Sequence, residues 1–337
     1  MPARLPPTTP LHRRVLLGTA LVAPLAAPLV ARPAQAQTPW SPERPVRLIV
    51  PFAPGGSQDV LGRLFAQAVS QSVGQNVVVE NRAGAGGILG AQETARAAPD
   101  GHTLLLATAG QLTIAKAIGR RLTYDPVADF APIMHLSDSP VALAVAPSLP
   151  PRNTRELIAY CKAARDPVPY GSTGIGTNTH LFMEDLKARE GLKVEHIPYR
   201  GAAAAFNDLA AGRISLMFVS VASVMAVSGA QMRVLGVSSR ERFPATPDVP
   251  TLIEGGLADF EASIWTGLAA PRGTPAPAIA RWQAEFGKAL RSDLVTARLP
   301  ALGSVANGAG PAEFGALLRE DLARWTRVAA PLSISLE

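Results

Sequence analysis

Arg47-Leu48-Ile49-Val50-Pro51-Phe52-Ala53-Pro54-Gly55-Gly56-Ser57-Gln58-Asp59 decides how this chain is read. Arg47–Val50 has the composition of a buried strand, and the prolines and glycines after it punctuate a turn. From about Asp59 to Val73 the pattern is helical. Val60, Leu61, Leu64, Phe65, Ala68 and Val69 share one face, and Gly74 stands where a C-terminal cap belongs. Strand, glycine-rich turn and helix open an α/β protein with a mainly parallel sheet. Asn76–Glu80 and Thr103–Ala107 continue it as strands, with a second glycine-rich turn over residues 81–90.

A second unit of the same kind begins near Pro140. Val141–Val145 reads as a strand, and Asn153 with Glu156 three residues later marks a helix start. Val168–Gly171 leads into a third glycine-rich turn, Ser172-Thr173-Gly174-Ile175-Gly176-Thr177, and a helix begins near Asn178. Strands over residues 194–198, 214–219 and 233–237 follow, with a helix at Ala202–Ala211 between the first two. Glu261–Pro271 reads as a return strand. Helices near Pro275–Leu290 and Pro311–Val328 close the chain, the latter with proline in its first turn. No linker-like composition separates the units, which fits a chain that crosses between two domains through strands.

The turns at Gly55–Ser57 and Ser172–Thr177 are the candidates for chemistry. Each precedes a helix, whose first N–H groups lack intrahelical acceptors and carry partial positive charge. Glycine lets a ligand approach the backbone, and Ser57, Ser172 and Thr177 add hydroxyls. A helix start of this kind suits an anion. The competing reading makes these ordinary turns, with Ser57, Asp59 and Thr177 as helix caps. Asp59 fits a cap better than an anion contact, because an acid repels an anion.

Other chemistries find no footing. There is no P-loop signature and no G-x-S-x-G, and Gly84–Gly90 has the wrong spacing for a dinucleotide fingerprint. His102, His135, His180 and His196 lack a partner at metal-ligand spacing, so neither metal nor cofactor is expected. His180 reads as a packed or capping residue, because no nucleophile lies near it in sequence.

Residues 1–36 read as a secretory signal: Arg13 and Arg14, a 16-residue apolar stretch from Val15 to Val30, then Ala34-Gln35-Ala36. The stretch contains Pro24 and Pro28 and is shorter than the roughly 20 residues of a membrane span. The arginine pair leaves both the general and the twin-arginine routes open. Four of the 32 Lys and Arg residues and none of the 26 acidic ones fall in this segment. The remainder therefore has 28 bases against 26 acids, a net charge of +2. That is no nucleic-acid footprint. The single cysteine, Cys161, excludes an intramolecular disulfide and reads as a small buried apolar residue.

Six segments in order resemble the Bug family, the extracytoplasmic solute receptors of tripartite tricarboxylate transporters. They are Val50–Asp59, Glu80-Asn81-Arg82-Ala83-Gly84-Ala85-Gly86-Gly87, Pro99-Asp100-Gly101-His102-Thr103-Leu104, Tyr170–Thr177, Pro198-Tyr199-Arg200-Gly201 and Ile264-Trp265-Thr266-Gly267-Leu268-Ala269-Ala270-Pro271. The resemblance implies a periplasmic-binding-protein-like α/β fold, with two domains joined by two crossover strands. Residues 41–139 plus 262–337 would form one domain and 140–261 the other. It implies a periplasmic, monomeric, non-enzymatic receptor that closes on a small organic acid or related solute and passes it to membrane permease subunits. A sensing subunit docking on a signalling partner would have the same receptor chemistry.

The ligand carboxylate would sit between Gly55, Gly56 and Ser57 on one side and Ser172, Thr173, Gly174, Gly176 and Thr177 on the other. Thr108 and Ala109 would line the same cleft, with Val219 and Trp265 adding to specificity. Val219 departs from the family, many of whose members have Asp there. That departure implies a ligand whose distal end is less polar or lacks an amino group.

Overall fold

The computed structural model describes residues 40–199, 201–226 and 231–332; the signal read in residues 1–36 and the motif residue Arg200 lie outside the described residues. In chain order the first part comprises β1 (Val46–Val50), α1 (Ser57–Val73), β2 (Val77–Asn81), α2 (Ile88–Ala95), β3 (Thr103–Thr108) and a π-turn at Gly110–Ile114 running into α3 (Ala115–Ala117). Next comes β4 (Phe130–Val145). It is followed by α4 (Thr154–Ala163), β5 (Val168–Ser172), α5 (Asn178–Glu190), β6 (Val194–Pro198), α6 (Ala202–Ala210), β7 (Leu216–Ser220), α7 (Val221–Ala226) and β8 (Arg233–Val237). The chain then returns through β9 (Ser263–Pro271), α8 (Ala276–Leu290), α9 (Asp293–Arg298), β10 (Val305–Ala309) and α10 (Pro311–Ala329).

The strands form two half-sheets that share β4. In the first, β2, β1 and β3 run parallel, β9 is antiparallel to β3, and β4 pairs with both β9 and β10. In the second, β6, β5 and β7 run parallel, and β4 lies antiparallel to β7 and β8. Residues 130–140 of β4 thus serve the first half and residues 141–145 the second. The second connection between the halves is the segment from β8 to β9. Ser238 ties the two crossings together: its N–H donates to Val141 O at 2.8 Å, its hydroxyl accepts from Val141 N–H at 3.0 Å, and it donates to Ala262 O.

Strands β1 and β3 are covered on both faces, so Leu48–Val50 and Leu104–Ala107 are apolar without alternation. Leu48 and Val50 on β1 and Leu104 and Leu106 on β3 face Leu61, Phe65, Trp282 and Phe286 of α1 and α8. Ile49, Leu105 and Ala107 face the other way, into the core shared with the second half. Sequence bounds hold to within one or two residues for most elements, and Asn153 and Glu156 form the expected reciprocal cap at α4. Cys161 is buried and free, as its surroundings in sequence suggest. Two strands differ from expectation. β4 begins at Phe130 rather than Val141, and Pro132 is accommodated where its pairing with β9 slips register. β10 was not anticipated.

Helix α10 holds both halves. Phe314 lies over the backbone of β9 so closely that a Cβ at Gly267 would sit 2.1 Å from its ring. Farther along, Trp325 packs on Phe182 of α5, with ring centroids 5.5 Å apart, and Arg324 bonds Asp185 of α5 at 2.5 Å. Gly267→Ala should therefore destabilise the protein by about 1–3 kcal/mol through overpacking. Urea unfolding measures this, and an unchanged midpoint would contradict the contact.

Candidate functional site

Helices α1 and α5, one from each half-sheet, begin at the same cavity of about 480 Å³. Gly56 is the N-cap of α1, extended at φ −75° and ψ 165°, and Thr177 is the N-cap of α5 at φ −82° and ψ 164°. Neither N-cap makes a side-chain capping bond. The first N–H groups, from Ser57 and Gln58 and from Asn178 and Thr179, have no acceptor within their helices, and all four residues line the cavity. Two converging helix starts produce positive potential without a basic side chain in either turn.

The turns are braced from behind. Asp59, in the first turn of α1, does not cap by its own position as expected; it reaches back to accept the Gly55 N–H at 2.9 Å. It also accepts from Asn81 Nδ2 at 2.9 Å and pairs with Arg63. Burial pushes the Asp59 carboxyl upward, but the bonds from Arg63, Gly55 and Asn81 together outweigh that and hold it below the ordinary carboxylate value. Its charge is neutralised there, and it is absent from the cavity lining. In the other turn Ser172 is fully buried and accepts the Gly174 N–H at 3.1 Å. Thr177 Oγ1 donates to Gly174 O at 2.8 Å, and Thr173 N–H donates to Thr179 Oγ1 at 3.0 Å. The Thr177 proton is thus committed inside the turn, whereas the Ser57 hydroxyl is exposed to the cavity.

Of the residues singled out in sequence, Gly56, Ser57, Thr108, Thr173, Gly176, Thr177 and Val219 line the cavity. Gly55, Ala109, Ser172 and Gly174 lie outside its lining and shape the turns. Trp265 is a correction. Its neighbour Ile264 faces the cavity, and because side chains alternate along a strand, Trp265 points to the opposite side. There it is 3% exposed, and Nε1 donates to Asp321 Oδ2 at 3.1 Å.

Several lining residues escaped the sequence reading. Gln58 bonds Thr266 of β9 at 3.1 Å, and Gln111 accepts from both the N–H (3.0 Å) and the hydroxyl (2.9 Å) of Thr108. Arg120 is the one charged side chain among the described lining residues. No motif marks it, since an arginine just after a helix end usually reads as solvated surface.

A stack of rings supports the α5 turn. His180 and His196 lie with centroids 3.8 Å apart, and Tyr170 lies 5.0 Å from His196. His180 Nδ1 accepts the Gly176 N–H at 3.1 Å, and His196 Nε2 meets the Ser172 hydroxyl at 2.6 Å. His180 is therefore packed and tied to the turn, as its sequence setting suggested. Burial, then the charge of Lys187, pulls His180 down to about 4. Burial, then His180 itself, brings His196 to about 4. Both rings are neutral in the folded chain near neutral pH, while in the unfolded chain they take up protons around pH 6.5. Between those values the unfolded state binds more protons, so stability falls as pH drops from about 6.5 toward 4. Thermal unfolding should show the midpoint falling by several degrees across that window, with His196→Gln flattening the slope; an identical slope would rule out this pair as its source.

The chain matches the family described as "Tripartite tricarboxylate transporter family receptor" over residues 61–332. It is 34% identical to Protein BugT of Bordetella pertussis over 301 residues, covering 89% of this chain and 92% of BugT. Among solved structures it is similar to MatC of Rhodopseudomonas palustris with bound malate, at 34% identity and TM-score 0.71, covering 86% of this chain and 99% of that one. It is also similar to R. palustris Rpa4515 with adipate, at 32% identity and TM-score 0.75, covering 87% and 99%. The fold is thus periplasmic-binding-protein-like, and such neighbours are solute-binding proteins rather than enzymes. With its two helix starts meeting at one cavity, the chain belongs to the tripartite tricarboxylate transporter receptor family.

Proposed function

We propose that this protein is a periplasmic receptor that captures a small carboxylate-bearing solute between its two halves and delivers it to a membrane permease. The observation that carries the proposal is the convergence of the α1 and α5 starts, one from each half, on one cavity. A carboxylate placed there takes N–H groups from both halves together with the Ser57 hydroxyl, so the ligand itself bonds the halves to one another. The malate and adipate bound in similar proteins are in keeping with this chemistry.

Residues 41–139 plus 262–337 and residues 140–261 are the two domains in this reading. They close by bending at the paired crossings around Val141 and Ser238–Ala262, a motion of the hinge type. The basic and apolar leader in residues 1–36 supports export, and the monomeric chain presents the closed form to the permease.

Val219 and its strand neighbours Met217 and Phe218 form an apolar wall of the cavity. Such a wall offers no counter-charge to an ammonium group, which favours ligands without one.

Thermal-shift and calorimetric screening of organic acids, amino acids and amides against the chain starting at Gln37 tests the proposal, because a ligand that binds only the folded form raises its melting temperature. Ser57→Ala should weaken the best acid about tenfold or more, since a hydrogen bond to a charged group contributes about 1.5–3 kcal/mol. Unchanged affinity would exclude the Ser57 hydroxyl as a ligand contact. Val219→Asp should also weaken an acid, through like-charge repulsion in the cavity, by about tenfold. If titration shows the acid binding as before, position 219 lies outside the contact.

A further inference from the structure

The cavity holds one more cationic group than a single carboxylate uses. Ile118 caps the C-terminus of α3, and Gly119 turns the chain at φ +78°. The Gly119 N–H donates to Lys116 O at 3.1 Å and the Arg120 N–H to Ala115 O at 2.9 Å. That pair of bonds is the Schellman closure, which fixes the backbone that carries the arginine. The same helix end reaches the α5 turn: a Cβ on Gly176 would lie 2.6 Å from Ile118 Cδ1. Arg120 is therefore held on the cavity wall, where the turn of the second half meets the first.

Its side chain is half-buried and makes no hydrogen bond or ion pair among the described residues, whereas nearby Lys116 is matched by Asp125 at 2.6 Å. Among the described lining residues no Asp or Glu neutralises it. The two helix starts already supply the partial charges and N–H donors that one carboxylate needs. A guanidinium adds a full charge and a planar fork of donors matched to a second carboxylate.

We infer that Arg120 is the specificity-determining residue that pairs with a second anionic group of the ligand. This rests on the receptor reading above. It also refines the apolar wall at Val219. The ligand's middle lies on apolar surface and lacks an ammonium group, while its far end is anionic.

The test is calorimetric titration with succinate, glutarate and adipate, each against the monoacid of equal carbon number (butyrate, pentanoate, hexanoate). Wild type, Arg120→Gln and Arg120→Lys are compared, with thermal unfolding confirming that each is folded. Wild type should bind the best diacid at least about tenfold more tightly than its monoacid. Arg120→Gln should remove most of that ratio, and Arg120→Lys should retain part of it. Wild type binding monoacid and diacid equally overturns the inference and leaves the receptor reading standing. So does an Arg120→Gln variant whose diacid-to-monoacid ratio is unchanged, whether both affinities fall together or neither moves. If wild type binds no acid at all, the receptor reading fails and takes this inference with it.

Discussion

A β-strand has two edges, and β4 fills both of them twice along its length. Residues 130–140 lie between β9 and β10, and residues 141–145 lie between β7 and β8. Because side chains alternate along a strand, a one-residue slip of β4 would reverse every side chain it presents in both half-sheets. The register of one strand therefore fixes the faces of both halves, and with them the direction from which α1 and α5 meet the cavity. Ser238, bonded to Val141 on one crossing and Ala262 on the other, keeps the second connection in step with the first.

Within that frame the site depends on backbone rather than side-chain chemistry. Side chains with charge or hydroxyls are largely spent on shaping the turns. Asp59 is matched by Arg63 and Asn81, Thr177 donates to Gly174, and His180 accepts from Gly176. What faces the cavity are N–H groups that no residue substitution short of proline removes. The general anchor is thereby insulated from drift in sequence, and selectivity falls to a few wall positions.

Much of this was legible in the sequence. The strand–turn–helix units, the two glycine-rich turns and the family motifs read along the chain in order, because each rests on local pattern: apolar runs, glycine at turns and helical spacing. The misses have specific causes. Pro132, His135 and Asp138 break the apolar run of β4, and proline argues against a central strand; the structure admits Pro132 only at a slip in register. β10 is a strand of small and polar residues, Val305-Ala306-Asn307-Gly308-Ala309, whose pairing depends on a partner far away in sequence. Trp265 was misplaced by one step of strand alternation, its neighbour Ile264 being the residue that faces the cavity. Arg120 carries no local signal, since only the tertiary fold turns a helix end toward the other half.

The reach of α10 across both halves has a consequence for how the chain is made. Phe314 completes the packing over Gly267 in the first half, while Arg324 and Trp325 complete that of α5 in the second. Until residues 311–329 have been synthesised, Phe182 lacks Trp325, Trp265 lacks Asp321, and Gly267 lacks the ring that packs on it, while the partners of β9 on β3 and β4 lie more than a hundred residues behind it. Contacts so distant in sequence form slowly. The packing of both halves is therefore completed only by the last helix of the chain, so the two halves become stable together rather than one after the other.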